Sequence, residues 1–383
     1  MPSPDADVLP ARSAQESGQA NYLRFMAMLD PLADGVAGAF AELPAGRGRR
    51  MLETALESGI EAVEDAPQAL TDLFEQLDRP PFWVDWNRLS RGGAVFMRSG
   101  LIGIGALNVS VLPYMYSSPS GNKPLVFTGH LVERAPRRLA ETARFVLKTC
   151  EPGGLHRNAE GFKITVKVRL MHAQVRRLLL RSGRWDPAWG GPVNQMYMAG
   201  TNIAMSVLLI QGLRRFGFRI GRDEAESLLH LWRYSGYIMG VAPELLCSTE
   251  AEGKQIVDLL TSLEGPPDED SQALLTAVMS ASYLPQFDRI PYRVPATYGI
   301  SRAVIGDELA DAMGYPPRSH WGLILHAVRP IVAAVDLVQR GIPGGRAWAA
   351  RAGTRRWESV IDMIMAGTRA EFVAPTRLGS QAG

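Results

Sequence analysis

The stretch Lys163–Arg181 constrains the fold more than any other, because it carries a long apolar stripe at helical spacing with one histidine inside it. Val168, His172, Val175 and Leu179 follow one another at steps of four, three and four residues. An α-helix turns once in about 3.6 residues, so these side chains share one helical face. The sequence therefore predicts a packed helix that buries an imidazole.

Two arginines accompany this histidine. Arg169 lies three residues before His172 and Arg176 lies four residues after it, so both side chains can lean towards whatever the imidazole faces. Two interpretations follow. The helix is either an ordinary core helix whose histidine is satisfied by a hydrogen bond, or a ligand wall that offers an imidazole to a metal and guanidinium groups to carboxylates.

Helical spacing of apolar residues continues along the rest of the chain, and no sustained alternation of the kind that a sheet requires is present. The segment Val193–Phe216 has the length and apolarity of a buried helix. We predict an all-α protein with one large helical domain over residues 19–373. A disordered N-terminal tail over residues 1–18 and a flexible C-terminal tail over residues 374–383 are expected outside it.

Three further segments give local predictions. Residues Leu89–Leu112 are rich in glycine and alanine, which lets helix backbones approach one another or a flat ligand closely. The turn-forming residues of Tyr114–Thr128 predict a loop. A last helix is predicted near Trp357–Gly367.

Composition excludes several classes of protein. The 41 lysines and arginines against 39 aspartates and glutamates give a net charge of +2, which predicts neither nucleic acid nor an acidic membrane as a partner. Cys150 and Cys247 stand far apart, so a disulfide framework or a structural zinc site is not expected. The N-terminus lacks the order of a secretory signal, which predicts a cytoplasmic protein. The apolar stretch Leu101–Leu112 is shorter than the roughly 20 residues that span a bilayer, so no transmembrane helix is predicted.

Most familiar catalytic motifs are missing from the sequence. It contains no GxGxxG or GxxxxGK[ST] motif for a nucleotide and no HExxH motif for a metal. What remains is a helical chain with a histidine between arginines, helices with small-residue faces, and many methionine and aromatic side chains. This combination suits a flat apolar cofactor with carboxylates, and haem is the leading candidate. The alternative is an ordinary helical core.

Four motifs resemble one family when taken in order. They are V168-R169-x-x-H172-A173-x-V175-R176, G191-P192-V193-N194-Q195, H230-L231-W232-R233-Y234-S235-G236-Y237 and G299-I300-S301-R302. Together they resemble the oxygenase superfamily of the bacterial latex-clearing rubber oxygenases and the fungal mpaB enzyme, over a family-like core of about residues 92–337. The resemblance implies a globin-like helical core around a haem b pocket. It also implies a haem-dependent oxidoreductase that cleaves an isoprenoid carbon–carbon double bond with dioxygen.

The resemblance transfers unevenly to single residues. Arg169 matches the active-site arginine of the family. His172 stands where the rubber oxygenases place a lysine beside the iron, and Ala173 replaces their threonine. Their iron-ligating histidine lies in the helix after the Pro-Val-Asn-Gln segment, where this chain has Ile203. Three alternatives follow: His172 holds the iron from the other side, this branch of the family binds haem differently, or the chain binds no haem.

The predicted site follows from these correspondences. Arg169 and His172 are the expected catalytic residues, His172 is the expected iron ligand, and His230 is the reserve ligand. The residues expected to contact haem are Arg169, His172, Arg176, Gln195, His230, Arg233 and Tyr237. A hydrophobic small molecule and dioxygen are the expected partners. Two alternatives stay open, namely a non-catalytic binder of haem or of a hydrophobic small molecule, and a haem-free protein whose histidine is structural.

Overall fold

Apolar residues at helical spacing fold into α-helices along the whole described chain. The computed structural model describes residues 22–128, 135–281 and 290–365, and no strand occurs in these three ranges. The prediction of an all-α protein is confirmed, whereas the two predicted tails lie outside the described residues. After a helical segment at 22–27, the α-helices are α1 (Pro31–Ala41), α2 (Arg47–Ser58), α3 (Gln68–Leu77), α4 (Trp86–Met97), α5 (Leu101–Ala106), α6 (Leu112–Tyr116), α7 (Pro119–Thr128), α8 (Ala135–Cys150), α9 (Glu160–Arg181), α10 (Gln195–Ile203), α11 (Leu209–Arg215), α12 (Arg222–Met239), α13 (Glu250–Leu263), α14 (Glu269–Ser280), α15 (Arg293–Ile305), α16 (Asp307–Ala312), α17 (Leu323–Gly341) and α18 (Gly345–Met365).

Helix α9 packs against several other helices, as its apolar stripe predicts. It contacts α1, α8 and α12, and smaller contacts join it to α7. Val166 and Leu179 on α9 are fully buried. The predicted helix over Lys163–Arg181 is therefore confirmed, and it begins three residues earlier, at Glu160.

Two glycines of α4 permit very close contacts with neighbouring helices. A methyl group on Gly92 would lie 2.2 Å from the carbonyl oxygen of Ser227 on α12, and one on Gly93 would lie 2.0 Å from that of Cys150 on α8. Both distances are far inside van der Waals contact, so only glycine allows α4 to pack between these helices. The close approach that the small residues predict is a contact between helices.

Two long apolar helices each contain a π-helical turn. Leu107–Val111 joins α5 to α6, and Ala204–Leu208 joins α10 to α11. The predicted buried helix Val193–Phe216 corresponds to the second of these, which runs from Gln195 to Arg215. Such turns occur often at functional sites.

Two local predictions are corrected. Tyr114–Thr128 is largely helical because its turn-forming residues begin a helix: Pro119 opens α7, and the Ser118 hydroxyl accepts a hydrogen bond from the Gly121 amide at 3.1 Å. The last helix begins at Gly345 rather than near Trp357.

Two helices of the described residues are long and apolar enough to cross a membrane. The run Gln195–Arg215 has a mean hydropathy of 1.3 and is 72% buried, so its apolar composition serves the core. The run His320–Gly341 has a mean hydropathy of 1.6 but is only 17% buried. The bent pair Trp86–Met97 and Leu101–Tyr116, at 86°, meets the same criterion when taken as one span. The expectation of no transmembrane helix rests on the short length of Leu101–Leu112, and these helices are longer than that stretch. The expectation therefore stays a prediction.

Candidate functional site

A cavity of about 780 Å³ lies beside α9. Its walls are mostly apolar, and its volume falls in the range of small-molecule sites. Helix α9 contributes the face that carries its apolar stripe and His172. The residues of α9 on the wall are Val168, Met171, His172 and Val175, and those of α10 and its π-helical continuation include Met198, Asn202, Met205 and Leu208.

His172 presents a neutral imidazole to this cavity. The Nδ1 atom is buried and has no hydrogen-bond partner. Burial lowers the pKa of His172 to about 3, and the positive charges of Arg176 and Arg138 lower it further, against the opposing effect of Asp30. The imidazole therefore stays unprotonated at neutral pH, which is the form that can ligate a metal.

Trp232 and Arg138 add hydrogen-bond donors to the same wall. Both residues line the cavity, and the indole Nε1 of Trp232 is buried without an acceptor. A buried polar group without a partner costs roughly 1–3 kcal/mol. A ligand with an oxygen acceptor would remove that cost, so the cavity has the chemistry of a site for a mainly apolar molecule with a few acceptors.

Tyr197 and Glu264 form the polar end of the cavity. The Tyr197 hydroxyl donates a short hydrogen bond to Oε1 of Glu264, and the Ser120 amide donates to Oε2 at 3.3 Å. Burial raises the pKa of Tyr197, and the carboxylate of Glu264 raises it further. The tyrosine is therefore a proton donor rather than a phenolate.

Arg169 does not line the cavity, although it lies on the same helix as His172. Its Nε and Nη2 atoms donate to the two carboxylate oxygens of Asp30 at 2.7 and 3.0 Å, and its Nη1 donates to Gln76 Oε1 at 2.7 Å and to the Ile238 carbonyl at 3.1 Å. Four of its five N–H donors are therefore engaged by protein acceptors. The position of Arg169 indicates a structural ion pair, and a direct role towards a ligand stays a prediction.

Gln195 belongs to the same buried cluster as Asp30. Its side-chain nitrogen donates to the carbonyls of Leu29 and Gly240 at 3.0 and 2.9 Å, and its oxygen accepts from the Ala242 amide at 2.8 Å. Gly240 has a φ of 83°, and a methyl group there would lie 2.4 Å from Asp30 Oδ2. The amide of Gln195 thus ties the segment before α1 to the end of α12 and does not line the cavity.

Arg176 also points towards α1. Its Nε donates to Asp34 Oδ1 at 2.7 Å, and its Nη1 donates to the Val193 carbonyl at 3.4 Å. Its Nη2 is buried without a partner. Although Arg176 is absent from the cavity wall, its charge reaches His172.

His230, Arg233 and Tyr237 lie on α12 and face the segment between α3 and α4 instead of the cavity. His230 Nε2 accepts a hydrogen bond from the Asp85 amide at 2.9 Å, so that its lone pair is engaged. The Arg233 guanidinium lies 4.1 Å from the centre of the Trp83 ring. The Tyr237 hydroxyl donates to the Gln76 carbonyl at the end of α3, at 3.0 Å, and to the Arg79 carbonyl just after it, at 3.1 Å. None of the three is a cavity residue.

Comparison with known proteins identifies the family. Residues 86–334 match the model of the family described as the catalytic domain of the ER-bound oxygenase mpaB/B' and rubber oxygenase, which is well over half of the chain. The chain belongs to this family. The resemblance of the four sequence motifs is thereby confirmed.

Two members of the mpaB/rubber oxygenase family show how far this chain has diverged in sequence. The chain is 25% identical over 275 residues to the rubber oxygenase of Streptomyces sp. strain K30, a match that covers 70% of this chain and 66% of that protein. The solved structure of latex clearing protein LCP in the closed state superposes with a TM-score of 0.70 at 23% identity, covering 91% of this chain and 94% of the other. At this identity the structural match shows a shared helical fold.

The described residues do not form a complete metal site by themselves. No group of three or more histidine, cysteine, aspartate or glutamate side chains comes together there to hold an ion. A porphyrin supplies four ligands itself and needs one or two axial ligands from the protein. His172 meets that smaller requirement, so the side chains present fit a haem better than a bare metal ion.

The cavity meets a different face of α12 from the predicted one. The polar stripe that includes His230, Arg233 and Tyr237 faces away from it, whereas the cavity side of the helix carries Trp232, Ser235 and Met239. These three residues follow one another at steps of three and four, which is the spacing of one helical face. That pattern was the available signal for Trp232. Arg138, Tyr197 and Glu264 carried no comparable signal.

Proposed function

We propose that the chain is a haem-dependent oxygenase that uses dioxygen to cleave a carbon–carbon double bond in an apolar, isoprenoid-like substrate. Family membership supports the oxygenase class, and the cavity supports an apolar substrate. The observation that carries the proposal is the neutral imidazole of His172, whose buried Nδ1 has no hydrogen-bond partner, on the wall of a 780 Å³ cavity. The rubber oxygenase of Streptomyces suggests a polyisoprene-like substrate by its name.

Three residues would hold the cofactor. The His172 imidazole would ligate the iron, since its low pKa leaves a lone pair available over the whole physiological range. The Trp232 indole N–H and the Arg138 guanidinium would donate to the propionates, which are the anionic part of an otherwise apolar molecule. When bound, haem would supply an iron that activates dioxygen.

The rest of the wall would position the substrate. Phe145, Leu208 and Leu260 line the cavity with apolar surface that excludes water and favours a hydrocarbon chain. The hydrogen-bonded pair Tyr197 and Glu264 places a protonated hydroxyl at the cavity's polar end. In this arrangement Tyr197 would hold a proton near oxygen atoms that develop negative charge.

The cofactor proposal is tested with the full chain and added hemin. We expect a shifted Soret band and one bound iron per chain, both strongly reduced in His172→Ala. His320→Ala provides the matched control, because His320 is exposed on a short helix outside the cavity. If His172→Ala binds hemin with an unchanged spectrum, the assignment of the iron ligand is wrong.

A second function is favoured by one observation. Ile203, which stands where the family has its iron-ligating histidine, is fully buried, is absent from the cavity wall and faces Gly253 on α13. The chain therefore has no histidine at the position of the family's iron ligand, and this difference favours a non-catalytic binder of haem or of a hydrophobic molecule. Reconstituted protein that binds hemin but consumes no oxygen with polyprenyl and terpenoid substrates would support this second function.

A further inference from the structure

The outer face of α17, together with the start of α18, forms an exposed apolar surface. Ile331, Val335, Val338, Ile342 and Trp348 are between 50% and 64% exposed. Val335, Val338, Ile342 and Trp348 also line an open groove of about 710 Å³ between the two helices. Isolated exposed apolar residues are normal, but a contiguous apolar patch indicates a binding surface.

The orientation of α17 is fixed by the opposite side of the helix. Asp336 is fully buried and accepts hydrogen bonds from the Arg219 amide at 3.1 Å and from Arg340 Nε at 2.9 Å. Rotation of α17 to hide its apolar residues would carry this carboxylate away from the Arg219 amide and expose a side chain that is now buried. The apolar face is therefore held towards solvent.

Arginines outnumber acidic residues around this face. Between Ser319 and Trp357 the chain has six arginines and a single acidic residue, the buried Asp336. Arg340 and Arg346 lie 2.6 and 3.6 Å from Glu224 on α12, so the exposed part of the basic border includes Arg351 and Arg355 instead. Trp348, Arg351 and Arg355 follow one another on α18 at steps of three and four, and all three are exposed. Arg351 also lines the groove. The surface thus combines an apolar centre, an exposed tryptophan and a basic border.

We propose that this face docks onto an anionic lipid surface. Apolar side chains beside arginines and a tryptophan are the composition of helices that lie in a membrane interface. A second copy of the chain fits less well, because a symmetric dimer through this face would bring the exposed Arg351 and Arg355 of one copy towards those of the other. An anionic lipid surface satisfies the apolar centre and the basic border together.

The test is co-sedimentation of the full chain with extruded vesicles. We expect binding to vesicles that contain phosphatidylglycerol, much weaker binding to pure phosphatidylcholine, and a decline with added salt. The variant Ile331→Asp/Val338→Asp should bind at least about tenfold more weakly, and Arg351→Glu/Arg355→Glu should lose roughly fivefold or more per charge removed. Leu180→Asp is the matched control, because Leu180 is an apolar residue that is 53% exposed on α9, outside this face. We expect this variant to bind vesicles like the parent chain.

Several outcomes would overturn the proposal. Equal binding to neutral and anionic vesicles would show that the surface does not recognise anionic lipid. An equal loss of binding in Leu180→Asp would show that the α17 face is not the docking surface. A dimer in light scattering that Ile331→Asp/Val338→Asp disperses, without vesicle binding by the parent chain, would identify a second copy as the occupant. The two aspartates should leave the melting temperature nearly unchanged, and a large fall would mean that the face is covered by another part of the chain.

Discussion

Arg169 and Asp30 form a buried two-point ion pair, with Nε 2.7 Å from Oδ2 and Nη2 3.0 Å from Oδ1, and both side chains are 3% exposed. The arginine comes from the motif most typical of the family, and its partner comes from the segment directly before α1. This pair, and not the cavity, is where the Arg169 guanidinium lies. A motif residue can therefore be required because it holds the fold around a site.

Removal of this pair gives the first prediction. Arg169→Ala leaves the Asp30 carboxylate buried without its partner, so we expect a loss of about 3–5 kcal/mol in the free energy of unfolding. Denaturant unfolding of the purified variants measures it. Arg24→Ala is the control, because Arg24 and Glu244 form an exposed pair at 3.5 Å that is worth about 1 kcal/mol or less. An Arg169→Ala variant of parental stability that lacks oxygenase activity would restore the catalytic interpretation of this arginine.

Gly240 gives the second prediction. Its φ of 83° disfavours any side chain, and a methyl group would lie 2.5 Å from Arg169 Nε. Gly240→Ala should therefore destabilise the protein by about 2 kcal/mol or more, through strain and displacement of the ion pair. Gly105→Ala is the matched substitution on α5, with nothing within 4 Å of the added methyl group, and should be neutral or stabilising by up to about 1 kcal/mol. The melting temperature should fall in Gly240→Ala and should stay the same or rise in Gly105→Ala, and a similar fall in both variants would contradict the prediction.

His172 gives the third prediction, which separates a ligand from a structural histidine. Its buried Nδ1 has no partner, so His172→Leu removes an uncompensated polar group from an apolar wall. We expect the haem-free chain to gain about 1 kcal/mol of stability or to stay unchanged, while hemin affinity falls at least tenfold. Thermal unfolding without hemin and a hemin titration measure the two effects. If the haem-free variant is instead much less stable than the parent, His172 has a structural role in the core.

The pH dependence of stability gives the fourth prediction. The pKa of His172 is about 3 in the folded state and near its ordinary 6.5 in the unfolded chain, so between these values the unfolded chain binds the additional proton. The free energy of unfolding should therefore be unaffected by this group above pH 6.5. It should fall as the pH drops towards 3, by at most about 1.4 kcal/mol per pH unit. Denaturant unfolding at several pH values should show a shallower acid loss in His172→Leu than in the parent chain, and equal slopes would mean that the imidazole protonates freely in the folded state.

The fate of individual motif residues shows how far sequence reasoning reached. The helix around His172 was predictable because its stripe is a local property with a fixed period. His172 lines the cavity that its pattern suggested, whereas Arg169 and Arg176 turn towards α1, because the aspartates that pair with them lie about 140 residues earlier in the chain. Spacing along one helix carries no information about such distant partners.

Helix α12 also shows that spacing along one helix does not identify the face that meets the cavity. Its polar stripe contains His230, which a sequence argument favours as a ligand, yet that side chain accepts a hydrogen bond from the Asp85 amide at the start of α4. Trp232, two residues further on, lines the cavity instead. Both faces of a buried helix carry residues that suit a site, and the neighbouring helices decide which face meets it.

By itself the sequence determined the all-helical class, the central helix with its histidine, and the family, since these depend on local periodicity and on ordered motifs. The tertiary structure alone decided which of those residues meet a cavity and which hold the fold. It also decided that α17 turns an apolar face to solvent. Ion pairs, close glycine contacts and buried hydrogen bonds join residues that are far apart in the chain, and only the folded arrangement of the helices brings them together.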